Sequence, residues 1–171
     1  DVERSRGLGD VYKRQGSDVT LDLLGDGEGR AELETLADEL GIADHVTFHG
    51  FQPQERCAQV LAMSDALVLN SLRECGGAVV LEAMAMGLPV VASAWGGPLD
   101  YLNAESGILV HPVPRHDFPQ RLAGAFATLA HDPDLRARMG QAGQKIVRRD
   151  FDWEAKVDRM VQIYREAMQN R

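Results

Sequence analysis

Apolar positions along this chain recur in blocks, some every second residue and some every three to four, the periods of strands and helices. Asp18-Val19-Thr20-Leu21-Asp22-Leu23-Leu24 reads as a strand ending in a glycine-rich turn. Leu33, Leu36, Ala37 and Leu40 follow at helical spacing, and Gly41 marks the stop. Residues 46–48 form a short strand. Gln54 to Met63 carries Cys57, Val60 and Leu61 on one helical face, with Pro53 near its start. Residues 66–69, 89–92 and 107–110 are three further strand-like runs. Short apolar runs separated by helices predict an α/β fold, a parallel sheet with helices on both faces. From Asp117 the pattern turns helical. Phe118, Leu122, Phe126 and Leu129 form one stripe, and Leu135, Met139, Ala142 and Ile146 a second. A third, in the helical C-terminal tail, holds Trp153, Val157, Val161, Tyr164 and Met168. All three stripes are expected to face a core.

The stretch richest in chemistry is Glu74-Cys75-Gly76-Gly77-Ala78-Val79-Val80-Leu81-Glu82. It joins the strand at residues 66–69 to a helix stopped by Gly87 and followed by the strand at residues 89–92. A glycine turn opening a helix after a strand presents free backbone N–H groups, which bind anions. With the helix starting near Gly77, Glu82 lies roughly 7–8 Å along it at about 1.5 Å per residue, while Glu74 stays in the turn. A carboxylate does not attract phosphate but accepts hydrogen bonds from hydroxyls. Two carboxylates flanking an anion site suit a nucleotide sugar, with ribose at one end and hexose at the other. Acids are also favoured at helix N-termini for the helix dipole alone.

The flanking sequence resembles the retaining family-4-type glycosyltransferases, whose GT-B fold has two Rossmann-like domains. The matching stretches are Leu24-Gly25-Asp26-Gly27-Glu28-Gly29-Arg30, Val46-Thr47-Phe48-His49-Gly50-Phe51, Ser64-Asp65-Ala66-Leu67-Val68-Leu69-Asn70-Ser71, the block at residues 74–92, and Gly96-Gly97 with Gly107-Ile108-Leu109-Val110. They run from about Val19 to the C-terminus in the family's order and spacing. The resemblance implies the C-terminal half of a GT-B fold, which binds a nucleoside-diphosphate sugar and transfers its hexosyl unit to an acceptor hydroxyl with retention. It implies that Glu74 contacts the transferred sugar, as the catalytic residue. It also implies that Glu82 holds the ribose and that the amides of Gly76, Gly77, Ala78 and Val79 hold the diphosphate. Gly25, Gly27 and Phe51 would line the donor pocket. The chain departs from the family at Gly76, where many members carry a bulky aromatic, and at Asn70, where proline usually precedes the serine. In the family, an Arg and a Lys that neutralise the diphosphate lie upstream of the point matching Gly16, and the acceptor domain further upstream still.

The opening residues read differently. Ser5-Arg6-Gly7-Leu8-Gly9-Asp10-Val11-Tyr12-Lys13-Arg14-Gln15 resembles the translation of a transposase adapter used in DNA sequencing libraries. Asp10 to Gln15 back-translates to the transposon end as GAT GTG TAT AAG AGA CAG. Residues 1–15 are therefore expected to be non-native and residues 16–171 to form the donor domain, the N-terminal acceptor domain being missing. The remainder is long enough for one domain with a proper core. The net charge is −8; removing three acids and four bases in residues 1–15 from the chain's 26 and 18 leaves 23 and 14, or −9. An acidic surface argues against a nucleic-acid partner, which needs basic residues along a phosphate track.

Other features narrow the chemistry. Two cysteines, Cys57 and Cys75, are too few for a disulfide framework and suggest a reducing compartment. The expected location is cytoplasmic or peripheral to the cytoplasmic membrane, with membrane contact only through the missing part. Cys75 reads as a small turn residue. His45, His49, His111, His116 and His131 lack ligand spacing, so no metal and no cofactor is expected. The turn at residues 25–29 lacks the Lys-Ser/Thr of a P-loop; it serves either as a turn or as a close approach to the donor. Gly96-Gly97-Pro98 follows a strand at the sheet's carboxyl edge, where ligands bind in open α/β sheets. The expected partners are the nucleotide-sugar donor and, through the missing domain, a saccharide or lipid-linked acceptor. Two other readings stay open: a GT-B-type epimerase or phosphorylase, and a module that only binds nucleotide.

Overall fold

The computed structural model describes residues 19–169; the expected adapter-derived segment at residues 5–15 lies outside them. In chain order the elements are β1 (Leu21–Leu24), α1 (Arg30–Leu40), β2 (Val46–Gly50), α2 (Gln54–Met63), β3 (Leu67–Leu69), α3 (Ala78–Ala85), β4 (Val90–Ser93), α4 (Pro98–Tyr101), β5 (Gly107–Val110), α5 (Phe118–His131), α6 (Pro133–Asp150) and α7 (Trp153–Gln169). Every strand ladder among the described residues is parallel, beside one isolated antiparallel bridge between Gly25 and Gly50. The expected α/β architecture is therefore present, with its strands hydrogen-bonded in two blocks, β1-β2 and β3-β4-β5.

Local chemistry explains most boundaries. Gly41 ends α1 at φ 63°, its N–H donating to the Asp38 carbonyl and that of Ile42 to Ala37, a left-handed stop that glycine adopts at no steric cost. Gly87 ends the turn after α3 in the same way, at φ 81°. Asp132 caps α6 by accepting the Leu135 N–H at 2.8 Å, and Pro133 fills the first helical position. β1 begins at Leu21, later than residue 18, because pairing with β2 starts at the Leu21–Val46 register.

All four residues of β4 are buried. Their alternation sends Val90 and Ala92 to one face and Val91 to the other. On the first face they meet Val80, Ala83 and Met84 of α3, together with Leu102. On the second, Val91 and Val110 meet Leu122, Ala125 and Leu129 of α5 and Met139 of α6. Two of the three C-terminal stripes thus reach the core.

The third does not. Trp153, Val157, Tyr164 and Met168 of α7 are 81, 52, 61 and 77% exposed, and Val161 38%. Amphipathic spacing correctly gives a helix with one apolar face, but the described residues put nothing over that face. The tail is anchored near its start, where Phe151 meets Tyr101 edge-on at 5.3 Å and Lys156 lies 5.3 Å from the Phe151 ring.

Helix α6 lies against the end of α3 through small residues. A Cβ on Gly140 would lie 1.8 Å from the Gly87 carbonyl oxygen, and one on Gly143 3.3 Å from Met84 Cγ. Gln144 Nε2 donates to the Ala85 carbonyl at 3.1 Å. Gly140→Ala must therefore separate the two helices, at a cost of about 1–3 kcal/mol or more. Gly124, exposed inside α5 with open space around its Cβ position, gives the opposite sign: alanine there stabilises by about 0.4–1 kcal/mol. Thermal melting of the two variants should show Tm moving in opposite directions.

Candidate functional site

The carboxyl ends of parallel strands share one side of a sheet, so the loops after β3 and β4 meet there. After Leu69 the chain runs through Asn70 and Ser71 to Glu74, turns at Gly76 and Gly77, and enters α3. Gly77 sits at φ 65°, a left-handed angle that L side chains rarely adopt. The Val80 N–H donates to the Gly77 carbonyl at 2.9 Å, closing the first turn. The amides of Ala78 and Val79 open the helix, where no earlier helical carbonyl can accept them.

The Glu74 carboxylate folds back onto this turn. Its Oε1 accepts the N–H of Gly77 at 2.8 Å and of Gly76 at 3.2 Å. A negative group thus already sits on two of the four amides expected to hold an anion. Glu82 lies one turn after Ala78 on the exposed side of α3, while Val80, Ala83 and Met84 face the core. Glu74, Gly76, Gly77, Ala78, Val79 and Glu82 therefore form one continuous patch at the N-terminus of α3.

The loop after β4 is packed hard against that patch. A Cβ on Gly96 would stand 2.1 Å from the Glu74 carbonyl oxygen, and one on Gly97 2.0 Å from that of Gly76. Gly96 is at φ 62°, and Pro98 then starts α4. The sequence marks these glycines as a sheet-edge loop but not as the surface on which the Glu74 turn rests, since that contact joins two separate loops. Ser93, which ends β4, is fully buried, and its hydroxyl has no hydrogen-bond partner among the described residues. Sequence reasoning missed it; the only signal is a serine closing the run Val90-Val91-Ala92.

Gly25, Gly27 and Phe51 gather on the other block, at the ends of β1 and β2. The Gly25 N–H donates to the Gly50 carbonyl at 2.9 Å, and Phe51 follows 85% exposed. The Gly27 N–H donates to Asp26 Oδ1 at 2.9 Å, and its carbonyl accepts from the Arg30 N–H at 3.1 Å. Arg30 stands over this turn, 3.6 Å from Asp26 and 2.8 Å from Glu34, whose hydrogen bond holds the guanidinium pKa above its ordinary value. No cluster of three or more His, Cys, Asp or Glu that could hold a metal occurs among the described residues. Both cysteines are free, Cys57 half-buried and Cys75 exposed. No helix among the described residues is long and apolar enough to cross a membrane.

Known proteins resemble this chain over most of its length. Residues 8–146 match the family described as glycosyl transferases group 1. The chain is 32% identical over 154 residues to an alpha-D-kanosaminyltransferase of Streptomyces kanamyceticus, covering 90% of this chain and 39% of that protein. It is 39% identical over 142 residues to a D-inositol 3-phosphate glycosyltransferase of Thermomonospora curvata, covering 82% and 32%. The structure of Anabaena HepE in complex with UDP and glucose superposes with a TM-score of 0.78 at 27% identity, over 93% of this chain and 44% of that one. The chain spans about two fifths of the length of curated relatives it matches.

The glycine packing generates a test. Gly97→Ala drives a methyl into the Gly76 carbonyl and must displace the turn, costing about 1–3 kcal/mol. Gly76→Ala projects into open space and should change stability by no more than about 0.5 kcal/mol. Parallel thermal melts check this; equal losses would mean that the two loops do not meet.

Proposed function

The chain belongs to the group 1 glycosyl transferases, and on that premise we propose that residues 16–171 form the donor-binding half of a retaining hexosyltransferase. Its donor is a nucleoside-diphosphate sugar. In the complete protein, the bond between the sugar's anomeric carbon and the diphosphate oxygen breaks. An acceptor hydroxyl oxygen takes its place on the same face, and the hydroxyl proton leaves with the diphosphate. The observation that carries this reading is the continuous patch of Glu74, the glycine turn and Glu82 at the start of α3. HepE, with UDP and glucose bound, supports a uridine nucleotide as the first donor to try.

In this reading Glu82 accepts hydrogen bonds from the ribose hydroxyls, and the amides of Ala78 and Val79 meet the diphosphate. The Glu74 carboxylate, now on the Gly76 and Gly77 amides, turns toward the sugar and yields those amides to the donor. Gly25, Gly27 and Phe51 close the pocket from the other block. The donor is held without a metal. The acceptor, a saccharide or a lipid-linked hydroxyl, binds to the upstream domain, which also provides any contact with the cytoplasmic face of a membrane.

Calorimetry of the full-length protein with UDP and with UDP-glucose separates the two carboxylates. Glu82→Ala should weaken both ligands by about 1.5–3 kcal/mol, the worth of hydrogen bonds to a charged acceptor. Glu74→Ala should leave UDP affinity unchanged or raised, because the Gly76 and Gly77 amides are released, while turnover falls. A matching loss of UDP affinity in Glu74→Ala would reverse the assignment. Purified residues 16–171 should fold yet transfer no sugar; turnover of any nucleotide sugar by that fragment would overturn the division into halves.

A further inference from the structure

Phe51 stands 85% exposed directly after β2, yet the backbone leading to it is tied down. Three successive carbonyls accept from three different donors. That of Phe48 accepts from Arg30 Nη2 at 3.4 Å, that of His49 from Gln52 Nε2 at 2.6 Å, and that of Gly50 from the Gly25 N–H at 2.9 Å. A large apolar ring held out on a fixed backbone is a surface that a ligand meets at little cost in ordering.

Of these donors, Gln52 is local to the turn and Gly25 offers only backbone. Arg30 is the side chain through which another element reaches the Phe51 segment. It opens α1, and its guanidinium lies at the seam between two segments. On one side Nη1 is 3.6 Å from Asp26, whose Oδ1 accepts the Gly27 N–H at 2.9 Å and so shapes the glycine turn. On the other side Nη2 meets the Phe48 carbonyl, and a Cβ on Gly50 would stand 3.0 Å from Nη1. Nε donates to Glu34 at 2.8 Å, one helical turn along α1. A rigid planar fork serves partners in three directions at once, which the compact ammonium of lysine does not reproduce. With one carboxylate in the turn and another on α1, the charge of Arg30 is answered within the protein. Such a group is a strut between two segments rather than a phosphate ligand.

We propose that Arg30 is a positioning residue for the nucleoside end of the donor, setting the gap between the turn at residues 25–29 and Phe51. The role rests on the donor reading above, in which Gly25, Gly27 and Phe51 close the pocket. Arg30 acts through these groups and touches no reacting atom. Its loss therefore weakens the donor only where the Phe51 ring is there to be misplaced.

A double-mutant cycle on the full-length protein tests this. UDP binding is measured by calorimetry, with Tm recorded alongside, for wild type, Arg30→Ala, Phe51→Ala and the double variant. Arg30→Ala should weaken UDP about fivefold or more, the scale of residues coupled through shared contacts. In the Phe51→Ala background the same change should have little further effect. Arg30→Lys keeps the charge but not the fork and should bind UDP as weakly as Arg30→Ala; it takes the place of the alanine variant in the cycle if that one does not fold. Losses that multiply in the double variant would overturn the role of Arg30, as would wild-type UDP affinity in Arg30→Ala, while a weakened Phe51→Ala keeps the pocket reading intact. Unchanged UDP affinity in Phe51→Ala would overturn the placement of Phe51 in the pocket, and the positioning role with it.

Discussion

The contact on which the candidate site depends is between two loops, with glycine on one side and bare carbonyl oxygens on the other. Gly96 and Gly97 approach the carbonyls of Glu74 and Gly76 so closely that no Cβ fits. This brings the segment after β4 against the turn after β3 and fixes where α3 begins. Because α3 then lays Val80, Ala83 and Met84 into the core, its exposed side is fixed too, and with it Glu82. Placement of the two carboxylates is thus a consequence of backbone packing; the Glu82 side chain is left exposed, while that of Glu74 accepts from the Gly76 and Gly77 amides.

The geometry of Glu74 gives that arrangement a second property. An empty anion site at a helix N-terminus would leave amides without acceptors. Here the carboxylate covers two of them, so the Gly76 and Gly77 amides have an acceptor without a ligand. A ligand that takes these amides exchanges one charged acceptor for another, and its net gain is smaller than a count of new hydrogen bonds suggests. The compensating gain lies in the released carboxylate, which becomes available to hydroxyl groups.

Sequence alone made much of this legible. Helix α2 could be bounded at both ends from Pro53 and its apolar face, and α1 and the turn after α3 from Gly41 and Gly87, because local conformational preferences decide such ends. The patch at residues 74–82 was legible because it is contiguous in the chain. Pairing was not. Adjacent apolar runs say that strands exist, but not which of them pair, because pairing joins residues distant in the chain. The stripe on α7 failed for the same reason: periodicity identifies an apolar face but not what covers it. The support given by Gly96 and Gly97 to the Glu74 turn was hidden because the contact crosses about twenty residues of sequence, including a helix and a strand.

These illegible features have a common physical cause. The exposed leucines of β1 and the bare face of α7 are surfaces patterned for burial and left uncovered by the described residues. By contrast, the β4-centred block buries its apolar residues on both faces of the sheet. Apolar burial is worth about 25 cal/mol per Å², so uncovered surfaces of this kind favour any neighbour shaped to meet them. The Glu74 site sits on the β3-β4-β5 block, whereas Gly25, Gly27 and Phe51 sit at the ends of β1 and β2.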